Sequence, residues 1–129
     1  MTLNASPIVL VVDDDRTQVT LVTSVLQKAG FRVLSANSPL VTLAALEVAG
    51  EASGAISLLV TDVDMPGMSG VALAAELVAK HPDLKVLYLT GHSDALFQQT
   101  HVLKAHEAFL EKPVSANELQ EAVNFLLLG

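Results

Sequence analysis

The stretch IVLVVDDD, residues 8–15, sets five consecutive apolar residues directly before three aspartates. An apolar run with no polar alternation reads as a strand covered on both faces, the situation of a strand inside a parallel sheet. Parallel strands need a crossover, and the next residues supply one. Across residues 17–29, Val19, Val22, Val25, Leu26 and Ala29 recur at spacings of three and four, and Gly30 provides a left-handed stop. The aspartates cannot share the buried strand, because desolvating an unpaired carboxylate costs several kcal/mol. Asp13 and Asp14 therefore belong where the strand opens into a loop.

The same unit repeats along the chain. Residues 31–36 read as a second strand, and Ser38-Pro39 as cap and first turn of an alanine-rich amphipathic helix over residues 40–49, ended by Gly50. After a small polar loop at residues 51–55, residues 57–61 form a third strand ending at Asp62, followed by the turn-rich DMPGMSG of residues 64–70. A helix over residues 71–80 stops at His81-Pro82, and the fourth strand, residues 85–90, ends in Thr90-Gly91. A helix of weaker pattern covers residues 93–104. A short fifth strand, residues 108–111, ends in Lys112-Pro113, and Ser115 caps a last helix over residues 116–128, with Glu118 at the capping-box position.

Five β/α units in strict alternation predict an α/β fold, a doubly wound five-stranded parallel sheet with right-handed crossovers. Ligands in such sheets sit at the carboxyl ends of the strands. Asp13, Asp14, Asp62, Thr90 and Lys112 all fall there, on strands one, three, four and five. Clustered acids need a cation, and an all-oxygen donor set suits Mg²⁺ better than zinc. With Lys112 beside them, the layout is that of a site for Mg²⁺ and an anion.

At 129 residues the chain reads as one domain, 1–129, with its core over about residues 8–128. Cysteine is absent, which excludes disulfides and thiolate zinc sites. The net charge of −7 opposes direct nucleic-acid binding. No run approaches the roughly 20 apolar residues of a membrane helix, and MTLNASP is not a signal sequence, so no membrane association and a cytoplasmic location are expected.

VVDDD at residues 11–15, TDVDMPGMSG at 61–70, LTG at 89–91 and FLEKP at 109–113 occur in that order, each at a strand end. Together they resemble the receiver domain of two-component response regulators, of the kind seen in chemotaxis regulators, over almost the whole chain. The resemblance implies a flavodoxin-like sheet of order 2-1-3-4-5. It implies that Asp62 accepts a phosphoryl group from a histidine kinase or histidine phosphotransfer protein. Asp14 and Asp62 are then direct Mg²⁺ ligands, the backbone carbonyl of Asp64 is a third, and Asp13 acts mainly through bound water. Lys112 pairs with Asp62 and then with the phosphoryl group, and Pro113, after a cis peptide bond, aims it. Thr90 and Phe109 form the switch to an unidentified downstream protein. Such a chain is not a conventional enzyme, although it catalyses its own phosphorylation and dephosphorylation, and it is a monomer or weak dimer.

Other residues carry smaller expectations. Asp64 and His92 stand two positions after the phosphoacceptor and the switch threonine, where the family tunes hydrolysis. Asp15 reads as a helix cap or supporting acid, Met65 and Met68 as packing around the loop, and His81, His101 and His106 as surface or helix-end residues without metal-like spacing. Residues 103–107 lack the glycine and small residues common before the family's fifth strand. Asp62-Val63-Asp64 also resembles the DxD motif of haloacid-dehalogenase-type phosphatases, but those place it on the first strand, with an acidic pair after the lysine. A degenerate receiver serving only for docking is disfavoured because every site residue is present. The Met1 start favours a stand-alone regulator, whereas FLEKPV before a short last helix is common in hybrid-kinase receivers.

Overall fold

The computed structural model describes residues 7–49, 56–91 and 106–128. The expected helix at 93–104, the loop at 51–55, Gly50, His92 and His101 lie outside the described residues. Five strands form one parallel sheet of order β2-β1-β3-β4-β5: β1 (Ile8–Val12), β2 (Arg32–Ala36), β3 (Ile56–Asp62), β4 (Lys85–Thr90) and β5 (Glu107–Glu111). Helices α1 (Arg16–Lys28), α2 (Pro39–Ala49), α3 (Gly70–Lys80) and a last helix (Ala116–Leu128) accompany it.

Strand alternation splits the core in two. Ile8, Leu10 and Val12 of β1 face one side, where Leu59, Leu73, Leu77 and Tyr88 are buried with them. Val9 and Val11 face the other, with Val22 and Leu26 of α1 and Leu119 and Val123 of the last helix. Every residue of β1 is buried, as its uninterrupted apolar run requires. At the edge, β2 carries Arg32, Leu34 and Ser35 exposed.

Several element ends differ by single residues from the sequence reading, and those of α1, β2 and α3 have a local reason. Helix α1 starts at Arg16 because Asp15 caps it, its carboxylate accepting from the Thr17 and Gln18 N–H groups. It closes with Gly30 at φ 98°, the Gly30 N–H bonded to the Gln27 carbonyl and the Phe31 N–H to that of Leu26. That double closure uses Phe31, so β2 begins at Arg32. Helix α3 begins at Gly70 because Ser69 accepts from the Ala72 N–H at 3.1 Å. Ser115 and Glu118 cap the last helix reciprocally, each side chain taking the other's backbone N–H at 3.1 Å. Helix α2 is less amphipathic than expected: Thr42 is buried while Leu40 and Val41 are exposed.

Candidate functional site

Strand β1 runs out between its neighbours at Val12, in register with Ala36 and Thr61. The three aspartates that follow have three different environments. Asp13 is 2% exposed, and both its oxygens are used: Oδ1 accepts the Asp15 N–H at 2.9 Å and Oδ2 the Lys112 ammonium at 3.1 Å. A carboxylate survives burial only with such partners. Asp14 is exposed and Asp15 turns away to cap α1.

Asp62 is the last residue of β3, in register with Leu89, and its side chain is 14% exposed. The Thr61 hydroxyl donates to its carbonyl at 2.9 Å. Gly70 lies so close to that carbonyl that a Cβ there would collide with it, and the Gly70 N–H bonds the Val63 carbonyl at 2.8 Å. The missing side chain lets α3 start against the strand end, folding residues 63–69 beside the site with Met65 buried, Met68 half-buried and Asp64 exposed. Gly67, at φ 85°, supplies the left-handed turn in this loop.

Thr90 ends β4 and is buried. Its carbonyl accepts the Lys112 N–H at 2.8 Å, so Thr90 and the lysine share a backbone contact. The Lys112–Pro113 peptide bond is cis. Phe109, in register with Tyr88, is half-buried against the core on the α3 side.

One oxygen from each of Asp13, Asp14 and Asp62 lies within 4.8 Å of the others. Lys112 Nζ stands 3.1 Å from Asp13 and 3.5 Å from Asp62. The shorter contact is to Asp13, not to the Asp62 partner that the sequence reading named, because the more deeply buried acid depends more on a counter-charge. Burial raises the Asp62 carboxyl above its ordinary range; Lys112 opposes the shift and Asp13 adds to it. Burial lowers the Lys112 ammonium, but its bond to Asp13 and the charges of Asp13 and Asp62 outweigh this and hold it above the usual value. A carboxyl raised by folding destabilises the native state once ionised. That cost is absent below the unfolded-state pKa and develops as pH rises from there through the folded value. The cluster is thus an under-neutralised acidic pocket of hard oxygen donors, which fits Mg²⁺ and not a soft or thiolate-bound metal.

Two features were missed in the sequence. Gly70 stood in a quoted motif, but only the strand–helix approach shows why that position excludes a side chain. Tyr88 is fully buried, and its hydroxyl donates to Glu107 at 3.2 Å across β4 and β5. A lone tyrosine inside an apolar strand signals that its hydroxyl needs a partner, yet the partner follows only from strand register.

At the C-terminal strand edge the acids that follow β1 and end β3 lie beside a lysine after β5, and the chain as a whole has counterparts among known proteins. The family description "Response regulator receiver domain" fits residues 9–124. The C4-dicarboxylate transport transcriptional regulatory protein DctD of Rhizobium meliloti is 32% identical over 93% of this chain and 25% of its own length. The sensor kinase CckA of Brucella abortus is 34% identical over 97% of this chain and 13% of its own. This chain therefore spans a quarter or less of these two curated relatives. A response regulator receiver domain protein from Clostridium thermocellum superposes with a TM-score of 0.75 at 30% identity, covering 94% of both chains. With the sheet order, the strand-end motifs and these matches in agreement, the chain belongs to the response regulator receiver domain family.

Proposed function

We propose that the chain is a single phosphoacceptor domain of a two-component phosphorelay, its core over residues 8–128, working in the cytoplasm, with Asp62 as the nucleophile. The observation that carries this reading is the position of Asp62, half-buried between the Lys112 ammonium and the carboxylates of Asp13 and Asp14. An Asp62 oxygen forms a bond to phosphorus as the P–N bond of a phosphohistidine breaks, and the electron pair of that bond leaves on the imidazole nitrogen. The phosphohistidine belongs to a histidine kinase or a histidine phosphotransfer protein. Hydrolysis later breaks the new P–O bond, restoring the carboxylate and releasing inorganic phosphate. The chain thus promotes its own modification and its reversal without being a conventional enzyme.

Asp14, Asp62 and the backbone carbonyl of Asp64 are the groups we assign to Mg²⁺, which when bound offsets the charge of the acids and the incoming phosphoryl group. Asp13 acts through water, a role supported by the engagement of both its oxygens by the Asp15 N–H and Lys112. Lys112, tethered to Asp13 and 3.5 Å from Asp62, shifts its ammonium to a phosphoryl oxygen. The Thr90 hydroxyl bonds the same group, and Phe109 turns inward as Thr90 moves, shifting the population presented to an output protein. Because Phe109 lacks a hydroxyl, its inward state is held by apolar burial alone.

With Mg²⁺ and acetyl phosphate, the intact protein should gain one phosphoryl mass and Asp62→Ala should gain none. Labelling that survives the substitution would move the nucleophile elsewhere.

A further inference from the structure

Asp15 caps α1 and also stands between that helix and the acidic pocket. Its carboxylate accepts the Thr17 N–H at 2.9 Å and the Gln18 N–H at 3.3 Å, and its carbonyl accepts the Val19 N–H at 3.0 Å. Its own N–H points the other way, to Asp13 Oδ1 at 2.9 Å. Both turns are of one kind, a carboxylate taking the backbone N–H two residues on. That of Asp13 closes on Asp15, and that of Asp15 closes on α1. With Oδ1 on the Asp15 N–H, Asp13 turns Oδ2 to Lys112 at 3.1 Å, while the Asp13 N–H is bonded to the Ala36 carbonyl at 3.3 Å. Asp13 is 2% exposed, so the direction of its carboxylate is set by protein donors and not by bulk water.

We propose that Asp15 is a positioning residue for the acidic pocket: by capping α1 it aims its own N–H at Asp13, and so holds the Asp13 carboxylate in the direction that the Mg²⁺ site and Lys112 require. Residue 15 is extended, at φ −88° and ψ 109°, and its two cap bonds stabilise that conformation. Removing the carboxylate leaves the Thr17 and Gln18 N–H groups to water and relaxes the turn between β1 and α1. The bond to Asp13 Oδ1 then weakens, and the carboxylate loses its fixed direction beside the Asp14 and Asp62 oxygens. The inference rests on the Mg²⁺ reading of the pocket and adds to it a side chain assigned to neither the metal nor the phosphoryl group. Groups that orient a metal site from outside typically change affinity by about 10–100-fold. Asp15 acts through Asp13, which is itself assigned to bound water, so the lower end of about tenfold is expected.

The test compares Asp15→Asn with Asp15→Ala in the full chain, because both remove the same charge while only asparagine keeps a capping oxygen. Calorimetric titration with Mg²⁺ alone should give Asp15→Ala an affinity about tenfold below that of Asp15→Asn. In an Asp13→Ala background the two variants should bind alike, since the group that Asp15 positions is gone. Hydrogen exchange of the residue 15 amide supplies a metal-free readout, taken relative to its intrinsic rate, with the β1 amides reporting any global loss of stability. That amide should be protected in the wild type and in Asp15→Asn, and should exchange about tenfold faster in Asp15→Ala and in Asp13→Ala. Equal Mg²⁺ affinities for the two Asp15 variants, a difference that persists without Asp13, or an amide that exchanges alike in all four proteins would overturn the proposal. A wild type that binds no Mg²⁺ would instead refute the metal reading, and the exchange series would then decide whether Asp15 holds Asp13.

Discussion

Replacing Lys112 by methionine keeps most of the side-chain volume and removes the positive charge that pairs with Asp13 and Asp62. Its Nζ stands 3.1 Å from Asp13 and 3.5 Å from Asp62. At an effective dielectric of about 20, each contact has a gross attraction of about 5 kcal/mol. Most of that is offset by desolvating the ions, so the two partners are separated by burial and bonding, not by distance. Asp13 is 3% exposed in its side chain and hydrogen-bonded to the lysine. Asp62 is 14% exposed and raised by burial toward its neutral form. Removing the lysine therefore leaves Asp13 as the stranded charge. Lys112→Met should cost about 2–3 kcal/mol, at or below the range for breaking a buried pair because the lysine is part-exposed. In a double-mutant cycle, Asp13→Asn should couple to Lys112→Met by about 2 kcal/mol and Asp62→Asn by about 1 kcal/mol. Asp62→Asn alone should stabilise the protein, since it removes a charge that burial and Asp13 disfavour. The assay is urea unfolding at neutral pH with divalent cations chelated. A coupling to Asp62 equal to or larger than that to Asp13 would refute the reasoning.

Further outcomes follow from the same geometry. Gly70→Ala should cost about 1–3 kcal/mol in urea unfolding, since the new Cβ meets the Asp62 carbonyl and backbone must shift; a change within a few tenths would contradict that contact. Asp14→Ala should weaken Mg²⁺ binding more than Asp13→Ala, and calorimetric titration giving the reverse order would exchange their assigned roles. Tyr88 is the single tyrosine in a chain without tryptophan, so its ultraviolet absorbance reports its ionisation cleanly. Its folded pKa is raised, so the stability it contributes is complete below the unfolded phenol value of about 10 and is lost as pH rises above it. Tyrosinate absorbance should accordingly appear together with loss of circular dichroism; ionisation of the intact fold near the ordinary phenol value would show that the buried bond does not hold.

What was legible in the sequence was whatever local patterning dictates. The unbroken run Ile8–Val12 announced a strand covered on both faces, Gly30 marked a helix stop, and Ser115 with Glu118 marked a helix start, each by a mechanism confined to a few residues. Parallel connectivity then required the polar residues that end β1, β3 and β4 to share one edge. Contacts set by register and by the approach of one element to another were not legible. Lys112 divides itself between two acids in favour of the more buried Asp13, and burial is a property of the assembled sheet. Tyr88 finds Glu107 only because β5 lies alongside β4 in one register. Gly70 is required by a carbonyl eight residues earlier, an approach that exists only once α3 has packed.

The most direct test of the account is to find where the phosphoryl group resides. After incubation with acetyl phosphate and Mg²⁺, borohydride reduces an acyl phosphate and leaves the modified position readable by peptide mass. The account predicts reduction at position 62 alone, dependent on Mg²⁺ and lost when the metal is chelated. Reduction at Asp13, Asp14 or Asp64, or equal labelling without Mg²⁺, would contradict it.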